Sequence, residues 1–269
     1  MRFIEKLLKI SQKNNSLLCV GLDTDLKKIP EFLLKEEDPV FTFNKKIVDS
    51  TSDLVCAYKP NIAFYESLGT DGLLSLKKTI DYIPDDIPVI LDAKRGDIGN
   101  TARMYAKAVF EEFKADAVTV NPYLGEDSIS PFLAYEDKCS FILCLTSNKS
   151  AGDFQLQIID KRPLYELVAE KVSSWNQKKN CGLVVGATYP EQLKKIREIA
   201  YDLPILIPGV GAQKGDLEKT VKFGTDKKGN LAVINSSRGI IYASDEKDFA
   251  TESRKKAKEL RDDINKFRL

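Results

Sequence analysis

The segment Leu91-Asp92-Ala93-Lys94-Arg95-Gly96-Asp97-Ile98-Gly99-Asn100-Thr101 holds the residues best suited to chemistry. It follows an apolar run, Ile87-Pro88-Val89-Ile90, that reads as a buried strand. Side chains alternate faces along a strand, so Asp92 and Lys94 point the same way. Two opposite charges at the end of an apolar strand are costly to desolvate unless they pair or react. Asp97 lies beyond the strand and need not belong to the same pocket of the same chain. The 269 residues include no histidine. That excludes Ser-His-Asp and Cys-His nucleophiles and His-containing zinc sites. Proton transfer near neutral pH must then use Lys, Asp, Glu, Tyr or Cys, and a lysine beside aspartates is the leading candidate.

These residues need a scaffold, and the rest of the chain describes one. Eight short apolar runs recur: 17–22, 54–58, 89–91, 117–120, 141–145, 183–186, 205–207 and 231–234. Their nearly continuous apolar character marks parallel strands covered on both faces. Between them the period becomes helical, as at Ala102, Tyr105, Val109 and Phe113. Further helices are expected from Pro163, from Tyr189, across the N-terminal segment Met1–Ile10 and along the charged tail from Glu246 to Phe267. Eight βα units in one domain, residues 1–269, predict an α/β fold, a single (β/α)8 TIM barrel. An open doubly wound sheet is the alternative, weakened because no Gly-x-Gly-x-x-Gly turn follows the first run. Two connections look long, Lys149 to Arg162 and Lys222 to Asn230. The first lies at the catalytic end and could be a lid; the second lies at the opposite end.

Composition narrows the setting. With 41 basic and 40 acidic residues the net charge is +1, which offers no global field for nucleic acid or membrane. No run of about 18 apolar residues is present to span a bilayer. The five cysteines, Cys19, Cys56, Cys139, Cys144 and Cys181, include no CxxC. They read as reduced, mostly buried thiols of a cytoplasmic protein.

In a barrel the site gathers at the C-terminal strand ends. In order, those ends carry Asp23, Lys59, Asp92 with Lys94, Asn121, Thr146-Ser147-Asn148, Pro208-Gly209-Val210-Gly211-Ala212-Gln213 and Ser236-Ser237-Arg238-Gly239. A glycine-bearing turn after strand seven and an arginine after strand eight match a barrel phosphate site. Taken singly, Lys59 could cap a strand end, Asp23 a turn, and Asn121 serve turn chemistry alone. The Asp92-x-Lys94-x-x-Asp97 array is harder to read as structural ion pairing.

Together these motifs resemble the orotidine 5′-phosphate decarboxylase family, in its longer bacterial branch. The likeness runs from Val20-Gly21-Leu22-Asp23 to Ser237-Arg238-Gly239. It is strongest in the Asp92–Thr101 segment and in Pro208–Gln213, and extends to Tyr58-Lys59-Pro60-Asn61 and Thr146-Ser147-Asn148. The resemblance implies decarboxylation of a nucleotide, orotidine 5′-phosphate, to UMP in pyrimidine biosynthesis, with no metal and no organic cofactor. It implies a charge network Lys59–Asp92–Lys94–Asp97, the last aspartate given by the second subunit of a homodimer. Ile98 and Thr101 would accompany Asp97 into the neighbouring site. Asp23 and Lys59 would hold ribose hydroxyls, and Gln213 and Arg238 the phosphate. Asn148, Pro208, Val210 and Gly239 complete the expected substrate contacts. The pyrimidine edge would be read by Ser147, with Ser150 as the alternative.

Three other readings compete. A related barrel could act on a sugar phosphate with a divalent metal and an enediolate, which chelation would expose. A Schiff-base aldolase could use Lys59 or Lys94, though flanking aspartates keep a lysine charged. A phosphate-binding barrel without catalysis could serve as a sensor or scaffold.

Overall fold

The computed structural model describes residues 1–210 and 216–269. Eight parallel strands form the barrel: β1 (Leu18–Gly21), β2 (Ala57–Lys59), β3 (Ile90–Arg95), β4 (Ala117–Val120), β5 (Cys139–Leu145), β6 (Cys181–Val185), β7 (Ile205–Pro208) and β8 (Ala232–Ser236). Each lies beside its sequence neighbour, and β1 also pairs with β8. The ring is completed between β2 and β3, where bridges join Tyr58 to Val89 and Asn61 to Asp92. Backbone N–H groups of Tyr58 and Asp92 donate to Pro88 and Pro60 across that seam, at 3.0 and 2.9 Å. The expected single barrel is the observed one, and β1, β2, β4 and β6 are buried along their whole length. Leu, Val, Ile, Ala and Cys fill both faces because helices cover the outside and the strands' own side chains fill the lumen. Gly182 in β6 is dictated by that filling. A Cβ there would sit 2.7 Å from the Phe141 ring and 2.9 Å from the Pro204 carbonyl.

The N-terminal helix, Phe3–Lys13, closes the barrel end opposite the expected site. It buries Phe3, Leu7 and Ile10. Lys6 pairs with Asp116, just before β4, at 2.8 Å, and the Phe3 ring meets Phe141 edge-on. The tail forms one helix, Phe249–Phe267, whose first residue stacks on Phe43 at 5.1 Å.

The two long connections are more structured than their composition suggests. Residues 149–163 hold a short helical turn, Lys149–Asp153, then a small hairpin, Ile158–Ile159 against Arg162–Pro163. Lys222 belongs to the helix Leu217–Gly224, so the loop before β8 starts only at Thr225. Asp216 caps that helix, accepting from the Lys219 N–H at 3.0 Å. All five cysteines are buried and unbridged. Among the described residues no helix is long and apolar enough to cross a membrane.

Arg197, in the helix Pro190–Ile199, is a buried cation that holds this side of the barrel together. Its guanidinium donates to the carbonyls of Ala200, Leu203, Gly224 and Leu231. Arg197→Ala leaves these acceptors without their donor. The expected loss is about 3 kcal/mol, from the usual cost of orphaned buried polar groups. In a chain of this size that lowers Tm by about 6–10 °C. A calorimetric scan of the variant beside the parent checks this.

Candidate active site

The charged strand ends converge as an alternating array. Lys59, the last residue of β2, is buried, its side chain 4% exposed. Its Nζ lies 3.1 Å from Asp92 Oδ2 and 3.9 Å from Asp23 Oδ1. The other oxygen of Asp92, Oδ1, receives Lys94 Nζ at 2.6 Å. Lys94 is half-exposed, so its ammonium is anchored at the array and open to a ligand. Two ammoniums and two carboxylates balance within one site, which offsets much of the cost of taking them from water.

The electrostatics fix the protonation states. Burial alone would push the Lys59 ammonium toward neutrality, but Asp92 and Asp23 outweigh it and hold its pKa above the ordinary 10.5. Burial likewise opposes ionisation of Asp92, yet Lys59, Lys94 and hydrogen bonds from Lys94 and Thr119 hold its pKa well below 3.8.

The backbone reaches this arrangement by a route that strand alternation does not predict. Pairing runs from Leu91 opposite Val118 to Arg95 opposite Val120. Asp92, Ala93 and Lys94 therefore all face the single residue Thr119, in a bulge. Lys94 takes a left-handed conformation, φ 45°, which is unusual for a side-chain-bearing residue. Asp92 and Lys94 do meet, but the bulge brings them together rather than regular pleating. Thr119 is one residue that sequence reasoning missed. Its signal was a lone hydroxyl inside the apolar run Ala117-Val118-Thr119-Val120. The Thr119 hydroxyl donates to Asp92 Oδ1 at 2.8 Å and accepts from the N–H groups of Ala93 and Lys94 at 3.0 and 2.9 Å.

Asp97 is set apart from this array. Its carboxylate accepts from the Ile98 N–H at 2.8 Å and makes no ion pair among the described residues. Ile98 is 55% exposed, and Thr101 is exposed in the first turn of the helix Gly99–Lys107. Asp23 follows β1, and its buried Oδ1 has no hydrogen-bond donor among the described residues. Asn235 Oδ1, on β8, is in the same condition and was not expected from the sequence. Gly21 lets these strands close up, because a Cβ would lie 2.7 Å from Ser237 Cβ. Tyr242 ties the two ends of the chain together here. Its hydroxyl donates to the Asp23 carbonyl at 2.9 Å and accepts from the Asp25 N–H at 2.7 Å.

After β5, Ser147 is half-buried against Gly186, where a Cβ would sit 2.8 Å from the serine Cβ. Asn148 is exposed and accepts from the Thr146 hydroxyl at 2.6 Å. Gln155, another residue the sequence did not single out, holds the same turn by accepting from the Thr146 N–H at 2.7 Å. Ser150 is exposed in the next turn. Pro208 ends β7, Gly209 takes φ 98° and Val210 is buried. Gly211 and Gln213 lie outside the described residues. Arg238 and Gly239 open the short helix Arg238–Ile241 after β8, both exposed.

The chain is similar to known proteins over its whole length. The family model for the orotidine 5′-phosphate decarboxylase / HUMPS family matches residues 16–252. An orotidine 5′-phosphate decarboxylase of Ralstonia pickettii is 52% identical over 272 residues, covering 100% of both chains. One from Dehalococcoides mccartyi is 50% identical, covering 100% of this chain and 99% of its own. The solved Leishmania donovani OMP decarboxylase superposes with a TM-score of 0.88 at 39% identity, covering 99% of this chain and 98% of its own. This chain belongs to the orotidine 5′-phosphate decarboxylase / HUMPS family.

Proposed function

We propose that the protein removes CO₂ from C6 of orotidine 5′-phosphate, giving UMP for pyrimidine biosynthesis, in sites shared between the two subunits of a homodimer. The observation that carries this reading is the ion-paired row Lys59–Asp92–Lys94 at the mouth of the barrel. Full-length relatives at about half identity support the substrate.

The difficulty of the reaction is electronic. When the C6–carboxylate bond breaks, its electron pair stays on C6 in the plane of the ring, where no adjacent carbonyl conjugates with it. A fixed cation is what such a centre needs. Lys94 supplies it, then transfers a proton from Nζ to C6 and is left as a neutral amine that regains a proton from solvent. Asp92 on one side and Asp97 of the partner subunit on the other hold the ammonium charged and aimed. Asp92 beside the substrate carboxylate also raises the ground state, a smaller contribution.

The remaining contacts bind rather than react. Asp23, with an acceptor oxygen that has no hydrogen-bond donor among the described residues, and Lys59 take ribose hydroxyls. Ser147 and Asn148 face the base, with Ser150 the alternative to Ser147. Gln213 and Arg238 take the phosphate, with Pro208, Val210 and Gly239 shaping the turn around it. Ile98 and Thr101 enter the neighbouring site with Asp97. Exposed apolar side chains beyond β3, β4 and β5 support a covered face there. Ile98, Met104, Tyr123 and Phe154 are each more than half exposed, and the Tyr123 and Phe154 rings pack together at 6.3 Å.

A Schiff-base role for Lys59 conflicts with the geometry, because two carboxylates keep its amine protonated and non-nucleophilic. The direct test follows the ultraviolet absorbance of orotidine 5′-phosphate as it disappears, with and without exhaustive chelation. Loss of substrate in both arms supports the reading, and no loss in either rejects it.

The pH profile of the same assay is a sharper expectation. The Asp92 charge, its pKa lowered, is lost only as pH falls below 3.8; the Lys59 charge, its pKa raised, is lost only as pH climbs past 10.5. Neither group adds an inflection to kcat or to stability between about pH 5 and 9. The substrate phosphate, which titrates near pH 6, then sets the acid limb of kcat/KM. An enzyme-derived inflection in kcat inside that window, traced to Asp92 or Lys59 by mutation, would contradict these protonation states.

A further inference from the structure

We propose that Thr119 is a positioning residue for the decarboxylation, the group that sets the aim of Lys94; this rests on the function proposed above. Three residues of β3 stand opposite this one residue of β4, so the N–H groups of Ala93 and Lys94 have no backbone carbonyl to meet in the ladder. The Thr119 hydroxyl takes both, at 3.0 and 2.9 Å. Its own hydrogen goes to Asp92 Oδ1 at 2.8 Å, the oxygen that also receives Lys94 Nζ.

A hydroxyl has one donor and two acceptor sites, and here all three are used. One side chain thus clamps the left-handed turn at Lys94 from the backbone side and the carboxylate that orients the Lys94 ammonium from the other. The residue is 1% exposed, sits on β4 rather than on β3, and contributes no charge. Its effect on the chemistry therefore passes through Lys94 and Asp92. Valine has the same shape and β-branching but offers no hydroxyl, so both N–H groups and Asp92 Oδ1 lose a partner together.

The test compares Thr119→Val and Thr119→Ser with the parent enzyme in the absorbance assay, with UMP binding measured by calorimetry. The parent is assayed first, because its inactivity toward orotidine 5′-phosphate rejects the proposed function rather than this inference. With an active parent, Thr119→Val is expected to lower kcat about 10- to 100-fold, the usual effect of misplacing a reacting group by about an ångström. KM and the UMP dissociation constant should change less than about threefold, because phosphate and ribose contacts are untouched. Thr119→Ser keeps the hydroxyl and should recover most of kcat. Parental kcat in Thr119→Val overturns the proposal. So does a loss shared equally by kcat and UMP affinity, or a serine variant as slow as the valine one. If Thr119→Val does not fold, Thr119→Ala and Thr119→Ser are compared on the same measurements, and equal kcat in those two overturns it.

Discussion

Lys94→Ala is expected to lower kcat on orotidine 5′-phosphate on the order of 10⁴-fold or more while UMP still binds. Two contributions are lost together. A fixed donor or cation at a site of developing charge is worth about 10²–10³ in rate. A positioned general acid is worth about 10²–10⁴. The two act on one carbon and do not simply multiply, so the lower part of their product is the safer expectation. Binding should survive because the ribose and phosphate contacts proposed for the nucleotide come from other strands. The substitution also leaves Lys59 opposite Asp92, so the buried carboxylate keeps a counter-ion at 3.1 Å. Stopped-flow or long-time absorbance assays, paired with UMP calorimetry, separate these effects. Turnover within tenfold of the parent would remove Lys94 from the chemistry.

Mixing inactive subunits should restore activity. Lys94→Ala chains retain Asp97, and Asp97→Ala chains retain Lys94. In a heterodimer with shared sites, one site regains both residues and the other has neither. Random exchange at equal concentrations makes half the dimers mixed, so about a quarter of parental activity is expected if each isologous interface lends Asp97 across the two-fold axis. The single chain fits this arrangement. Asp97 stands past the strand, caps its own neighbour Ile98, and has an exposed apolar residue beside it. Differently tagged subunits would report exchange by co-purification. Exchange without recovered turnover would place Asp97 in its own chain's site or outside catalysis.

The barrel was readable from sequence because its cause is local and repeated. Strands covered on both faces must be continuously apolar, and runs such as Ala117–Val120 and Leu183–Val185 have no other simple explanation. The strand ends were less distinct. The apolar run ending at Leu91 continues as strand through Asp92 to Arg95, because ion pairs and Thr119 satisfy the polar groups there. The array Lys59–Asp92–Lys94 was legible as charge at strand ends. The bulge that assembles it was not, since pairing register depends on a neighbouring strand rather than on the segment itself. Asn235 and Gln155 were missed for the same reason. Each is an ordinary amide in sequence and gains meaning only from the turn or strand brought beside it.

The phenol of Tyr242 has a mechanical implication. It bridges the loop after the first strand to the helix after the last one, holding Asp23 and Asp25 through main-chain atoms alone. Asp23, proposed for the sugar, and Arg238, proposed for the phosphate, thus stand on segments fastened to each other. One uncharged hydroxyl thereby sets the spacing between the first and last turns of the ring, without occupying either side chain proposed to hold the ligand.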